Sequence, residues 1–272
     1  MAITTVDGVI AGVLPRTEIF KSSGSGATFI ASVPFSTFYS PGIPCQSAAP
    51  TPGVAGAALT SYPGQIPFTN PTSGNTYLAD LSLESNLAGT SLLLDRLWHN
   101  SGLDPTILTL QTVGSVAWPA RDINGSTNGE GVFIGLELST AATAGTPAFT
   151  MNYTNSLGVT NRQGSNIMGT SATAIAGTFI PMILAPGDTG VRSVQSIIIS
   201  NSGWTSAVMH LVAYRVLAAI GVNNANRVSK EGGPISLGFP RLYDNTVPFS
   251  VFVPISTTTT FGLYGGMTVA QG

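Results

Sequence analysis

No stretch of this chain holds a helical hydrophobic period, and that absence constrains its fold more than any motif does. Apolar runs are short, and Gly, Pro or Ser ends each one, with 32 glycines and 18 prolines among 272 residues. Strand-like segments separated by turn signals recur at the spacing of an all-β sandwich or barrel. Strands are expected at about 77–84, 89–99, 106–112, 114–118, 131–140, 147–154, 173–184, 190–200 and 205–217. The clearest alternation sets Phe149, Met151 and Tyr153 against Thr150, Asn152 and Thr154, a half-buried strand. Val132, Ile134, Leu136 and Leu138 likewise oppose Phe133, Gly135, Glu137 and Ser139.

The densest apolar run is LLLDRLWHNSG, residues 92–102. As a strand it turns Leu92, Leu94, Arg96 and Trp98 to one side and Leu93, Asp95, Leu97 and His99 to the other. Both faces are mostly apolar, so both need cover, inside a sandwich or at a subunit interface, and each charge needs a partner. The stretch AVMHLVAYRVLAAIG, residues 207–221, mixes helix formers with strand formers and is read as a strand. Ser200-Asn201-Ser202-Gly203 ahead of it reads as a hairpin turn whose other arm is Val194–Ser200.

Three regions follow from texture. Residues 1–75 read as a long extended N-terminal arm, where Pro15, Pro34, Pro41, Pro44, Pro50, Pro52, Pro63, Pro67 and Pro71 exclude long helices and central strands. Within it, Thr28–Tyr39 alternates as an edge strand with Phe29, Phe35 and Phe38 available for burial. Such an apolar, irregular segment is laid across something, its own core or a neighbouring subunit. Residues 76–220 form the β-sandwich core, antiparallel and jelly-roll-like. Residues 221–272 form a C-terminal extension with two short strands, Val247–Pro254 and Thr258–Tyr264, after a polar connection at 222–246.

Charge is scarce. Only 8% of residues are Asp, Glu, Lys or Arg, against about 25% in ordinary soluble domains. A surface this neutral implies cover by copies of itself or by another protein. Net charge is −2 with no basic run, which argues against direct contact with nucleic acid. Mean hydropathy is +0.31, yet no apolar stretch reaches the length of about 18 residues that a membrane helix needs. No basic segment precedes an apolar core at the N-terminus, so no signal peptide is expected. Asn124-Gly125-Ser126 and Asn152-Tyr153-Thr154 match a glycosylation pattern that has no force without secretion. The single cysteine, Cys45, excludes an internal disulfide and a thiolate cluster.

Chemistry is harder to find. The only histidines, His99 and His210, lie within apolar strands, where a hydrogen-bonded core histidine is the ordinary outcome. No G-x-S-x-G elbow, G-x-G-x-x-G or phosphate loop occurs, and Lys21 follows no glycine cradle. The loop 119–131 offers Asp122, Asn124, Asn128 and Glu130 as oxygen ligands suited to calcium, but without the spacing of a calcium motif it reads as a structural loop. Asp95-Arg96, Arg121-Asp122 and Asp188-x-x-x-Arg192 bring opposite charges together, and Arg215 sits in an apolar strand; these are expected to lock loops and subunit contacts. No catalytic residue, metal site or cofactor is expected.

TSGNTYLADL (72–81), LLLDRLWHNSG (92–102), WPARDINGSTNGEG (118–131), PGDTGVRSVQSIIIS (186–200) and HLVAYRVLA (210–218) together resemble virion structural proteins of tailed bacteriophages. The resemblance is strongest over about 74–217 and implies a particle component without catalysis, of which a capsid decoration, or cement, protein is the most similar. It implies the major capsid protein as partner, a homotrimer that buries the 92–99 strand, capsid contact through the arm, and a place on the capsid surface after synthesis in the host cytoplasm. A tail, collar or fibre-like component binding host glycans is the alternative, with Trp118 or Trp204 beside Asn-rich loops as a shallow sugar site. A depolymerase with clustered carboxylates is a further class. The usual tailed-phage shell fold carries a long helix, which disfavours a major capsid protein.

Overall fold

A computed structural model describes residues 3–23, 27–166, 174–222 and 230–272. Two short helices occur among the described residues, α1 (Val6–Gly12) and α2 (Pro234–Leu237), with a 3-10 turn at Thr37–Tyr39. The first third of the chain gives β1 (Thr17–Ser22), β2 (Phe35–Ser36), β3 (Gly42–Ile43) and β4 (Ala57–Ala58). The middle gives β5 (Thr76–Ser85), β6 (Gly89–His99), β7 (Leu110–Thr112), β8 (Val132–Thr140), β9 (Ala148–Asn155), β10 (Arg162–Asn166), β11 (Phe179–Ile183) and β12 (Val191–Ser200). The chain continues with β13 (Val208–Val222), β14 (Lys230–Gly232), β15 (Arg241–Leu242), β16 (Pro248–Pro254) and β17 (Gly262–Gln271).

The strands form an antiparallel sandwich. A six-stranded sheet runs β14-β5-β17-β1-β3 with β15 also on β5, and an eleven-stranded sheet runs β2-β16-β6-β13-β8-β11-β10-β9-β12-β7 with β4 on β6. Three cores result. Between β8 and β13 on one side and β9 and β12 on the other lie Val132, Ile134, Leu136, Leu138, Met151, Tyr153, Val194 and Ile197, with Trp98, Trp118 and Trp204 among them. Between the six-stranded sheet and the far ends of β6 and β13 lie Leu78, Leu81, Leu83, Leu263, Leu93 and Ile220. Phe38, Tyr39, Leu94, Phe179, Tyr214 and Phe249 make the third. Each fully buried Leu or Phe contributes about 1.5–3 kcal/mol.

The strand-period reading of 131–140 and 147–154 holds, and 207–221 is indeed a strand, since β13 pairs with β6 on one side and β8 on the other. Its Val, Tyr and Ile side chains pack on both faces, which outweighs the helix preference of its Ala and Leu. The expected hairpin between Val194–Ser200 and this strand does not form. β12 pairs with β9 and β7, so the chain crosses between layers through buried Trp204 instead. The 114–118 segment is not a strand, and 106–112 contributes only β7. Residue 173 of the expected 173–184 strand and residues 223–229 of the polar connection lie outside the described residues.

The proline-rich first third lies against its own body. β1 sits between β17 and β3, a central position expected to be excluded; Pro15 and Pro34 flank the segment, so its backbone donors are intact. Phe29 exchanges two backbone hydrogen bonds with Thr258, at 2.8 and 3.0 Å. Phe29, Phe35 and Phe38 are all buried, as the alternation implied, though 28–39 yields only the two-residue β2 and the turn after it. Buried Lys21 donates to the Pro44 and Ser40 carbonyls at 2.7 and 3.2 Å, closing the chain on β1. The same packing corrects the expected trimer burial of 92–99. Residues 93–100 are already covered within one chain, by Phe38, Tyr39 and Tyr62 on one side and the sandwich cores on the other.

Candidate functional site

Charges on β6 find partners, but not their sequence neighbours. Because side chains alternate along a strand, Asp95 and Arg96 point apart. Asp95 takes a two-pronged contact from Arg121, Nε to Oδ2 at 3.0 Å and Nη2 to Oδ1 at 3.1 Å, and accepts the Val247 amide at 2.9 Å. Arg121 also donates to the carbonyls of Leu59 and Arg96 at 2.7 and 3.0 Å, so one guanidinium ties the 119–131 loop to the first third of the chain and to β6. Arg96 lies on the other face, with Nη2 2.7 Å from Glu137 Oε2, both side chains wholly buried. Tyr39 donates to the same carboxylate at 3.2 Å, and Phe38 and Phe249 hold their rings 4.9 and 5.5 Å from the Arg96 guanidinium. Burial, then the neighbouring Glu137 charge, pushes the Tyr39 hydroxyl far up.

Both histidines are used inside this cluster. His99 accepts from Arg96 Nε through Nδ1 at 3.2 Å, which places its proton on Nε2. Burial first, then the Arg96 charge, pushes it down to about 2. His210 bridges Ser139 Oγ and the Asn100 carbonyl, each at 2.8 Å, and burial lowers it as well. Asn100 in turn accepts the Leu211 amide at 2.7 Å. The cluster therefore fastens β6, β8, β13 and the Thr37–Tyr39 turn together.

The loop considered for calcium is organised around a carboxylate that its own backbone occupies. Asp122 Oδ1 accepts from the amides of Asn124 and Ser126 at 2.9 and 2.8 Å, and Oδ2 from Ser126 Oγ, Gly129 N and Glu130 N at 2.7, 3.1 and 3.2 Å. Burial alone would raise this carboxyl, but those hydrogen bonds outweigh it and hold it low. Glu130 accepts from Thr189 Oγ1 at 2.9 Å, while Asn124 and Asn128 are exposed. The expected Asp188–Arg192 pair also gives way. Asp188 binds Arg162, Tyr153 and Asn155 at 2.8, 2.6 and 2.7 Å. Arg215 donates to the Arg241 carbonyl at 2.9 Å, with Asp95 4.0 Å away.

Withdrawing these groups leaves a surface still more neutral than the composition implies. Of the ten basic and twelve acidic residues, Lys21, Asp95, Arg96, Arg121, Asp122, Glu137 and Arg215 are buried. On the six-stranded sheet, Phe20 pairs across to Tyr264 on one side and Ile43 on the other. This row is 44%, 36% and 59% exposed, with the Phe20 and Tyr264 rings edge to face at 4.9 Å. Helix α1 has no buried residue, leaving Val6 and Ile10 exposed beside a groove lined by Ile3, Val9, Tyr77 and Phe239. By contrast, the tryptophans expected to form a sugar site are interior. Trp118 donates to the Val191 carbonyl at 2.7 Å, and Trp204 packs on Phe149. The apolar row is a surface feature that the sequence did not reveal, because its residues become neighbours only through the β1–β17–β3 pairing.

No family model matches the chain, and no curated protein does. Among solved structures, two of infectious bursal disease virus, Gt strain and Gx strain, align at 12% identity over 95% of this chain and 82% of theirs, with TM-scores of 0.19 and 0.22. A crystal structure of the infectious bursal disease virus VP2 subviral particle aligns at 10% identity over 96% of this chain and 82% of its own, with a TM-score of 0.20. Scores of this size describe no shared fold, so the chain is placed by its own geometry as an antiparallel β-sandwich.

Proposed function

We propose that this chain is a structural component of a virus particle, a capsid decoration protein that clamps neighbouring major capsid subunits from outside the mature head and performs no catalysis. The observation that carries the reading is the removal of charge from an already charge-poor surface. Seven ionised side chains, Lys21, Asp95, Arg96, Arg121, Asp122, Glu137 and Arg215, are spent inside the fold, while large apolar groups such as Phe20, Ile43, Val6 and Ile10 stay outside. A free monomer gains solubility from the opposite distribution. Contacts between proteins remove such apolar area from water at about 25 cal/mol per Å². The resemblance over about 74–217 to tailed-phage virion proteins supports a particle component, and the charge distribution favours the decoration role among them.

The capsid contact stays largely with the first 75 residues, not as a free arm reaching a neighbour but as a folded surface, the Phe20–Tyr264–Ile43 row and α1. The homotrimer remains part of the proposal, with an interface elsewhere than β6. Electron microscopy of intact particles is the test: density for this sandwich on the outer shell, in copies that follow the shell symmetry, is expected. Particles in which the chain is absent, or lies at the tail tip, overturn the reading. Sedimentation of the purified chain tests the trimer, and a single monomeric species at micromolar concentration overturns it.

A further inference from the structure

We propose that a groove around Arg192 binds a carboxylate-bearing sugar, such as a uronic acid unit, with the carboxylate on the guanidinium and the ring hydroxyls on the surrounding serines and threonines. The groove measures about 360 Å³ and is lined by Ser115, Ala117, Thr127, Thr154, Gly158, Arg192 and Ser193. It lies apart from the apolar row and does not depend on the particle assignment.

Arg192 is there because the strand is bulged. β12 pairs Val191 with Asn155 and then Ser193 with Thr154, so Arg192 is the extra residue and its side chain is re-aimed out of the ladder. The surrounding segments are fastened. Val194 donates to Ser115 Oγ at 2.9 Å, the turn after β9 is held by Asn155 Oδ1 accepting the Leu157 and Val159 amides at 3.1 and 2.9 Å, and Asp122 fixes the loop that carries Thr127. Gly158 supplies the left-handed backbone, φ +82°, that this turn needs, and the position beside it is in ordinary contact range of Arg192 Nη1, 3.5 Å from where a Cβ would stand. A bulge, a locked turn and a locked loop thus converge on one exposed guanidinium.

The chemistry of the lining selects the ligand. Among the described residues Arg192 has no ion-pair partner, and no carboxylate lines the groove. Ser115 Oγ and Ser193 Oγ each accept one hydrogen bond, from Val194 N and from Gln195 Nε2 at 2.8 Å, which leaves their O–H donors for a ligand. A planar guanidinium matches a carboxylate with two parallel hydrogen bonds. Hydroxyls both donate and accept, as sugar hydroxyls do, and a groove of about 360 Å³ has more room than a bare carboxylate fills.

The test titrates the ¹⁵N-labelled full chain with glucuronate, glucose, acetate and inorganic phosphate, following the amides of Ser115, Thr127, Thr154, Gly158 and Ser193. Glucuronate is expected to shift these amides and to bind at least about tenfold more tightly than glucose or acetate. Arg192→Gln, an exposed change that leaves the fold intact, is expected to weaken glucuronate about tenfold, and Thr127→Val to weaken it by a smaller factor. Equal binding of acetate or of phosphate overturns the sugar assignment. No shift at these amides, or full binding by the Arg192→Gln variant, overturns the site.

Discussion

Arg96 and Glu137 meet with both side chains fully buried, so each depends on the other. Removing one partner of a buried pair costs about 3–5 kcal/mol, because the survivor stays charged in an apolar setting, whereas replacing both with apolar groups is often neutral. Glu137→Leu is therefore expected to lower stability by about that amount in urea unfolding, and Arg96→Met with Glu137→Leu to recover most of it. His99 gives a pH dependence of definite sign. Its folded pKa is pushed down to about 2 from the ordinary 6.5, so stability is full above pH 6.5 and falls as the unfolded chain takes up a proton that the folded chain refuses. The expected loss from His99 is about 1.4 kcal/mol per pH unit below 6.5, with His210 adding in the same direction. His99→Gln should flatten that slope in denaturant melts between pH 6.5 and 5. At this scale the sequence showed which residues were buried but not whom they met. Asp95-Arg96 and Arg121-Asp122 look like pairs in the sequence, but the actual partners lie 26 and 41 positions apart, Asp95 with Arg121 and Arg96 with Glu137.

The 119–131 loop behaves as an element because Asp122 takes five hydrogen bonds from within it. Asp122→Ala is expected to free those donors, at about 1–3 kcal/mol for the group, and to speed amide exchange at Asn124, Ser126, Gly129 and Glu130 while the β8 and β13 amides stay protected. Strands with an unbroken period of two were legible for the same physical reason that they are stable: β8 and β9 each present one wholly apolar face to the first core. The elements that escaped notice lack that signal. β10 reads Arg-Gln-Gly-Ser-Asn, polar on both sides, and is a strand only because β9 and β11 flank it. The misread hairpin at 200–203 had good turn chemistry, but β13 already has β6 and β8 as neighbours.

Across the whole molecule the neutral exterior underlies the proposed association, and the apolar row is the place the proposal assigns to it. Phe20→Glu with Ile43→Lys changes exposed positions only, so the melting temperature should hold within about 2 °C. Binding to expanded shells in a co-sedimentation assay should fall at least about tenfold. The scarcity of charge was plain in the composition; the row was not, since Phe20, Ile43 and Tyr264 come from distant parts of the chain. That row has a temporal side. Its third member belongs to β17, the strand that joins β1 to β5. Because β17 is made after β1 and β5, a nascent chain that has not yet delivered residues 262–271 leaves those two strands apart and the row incomplete.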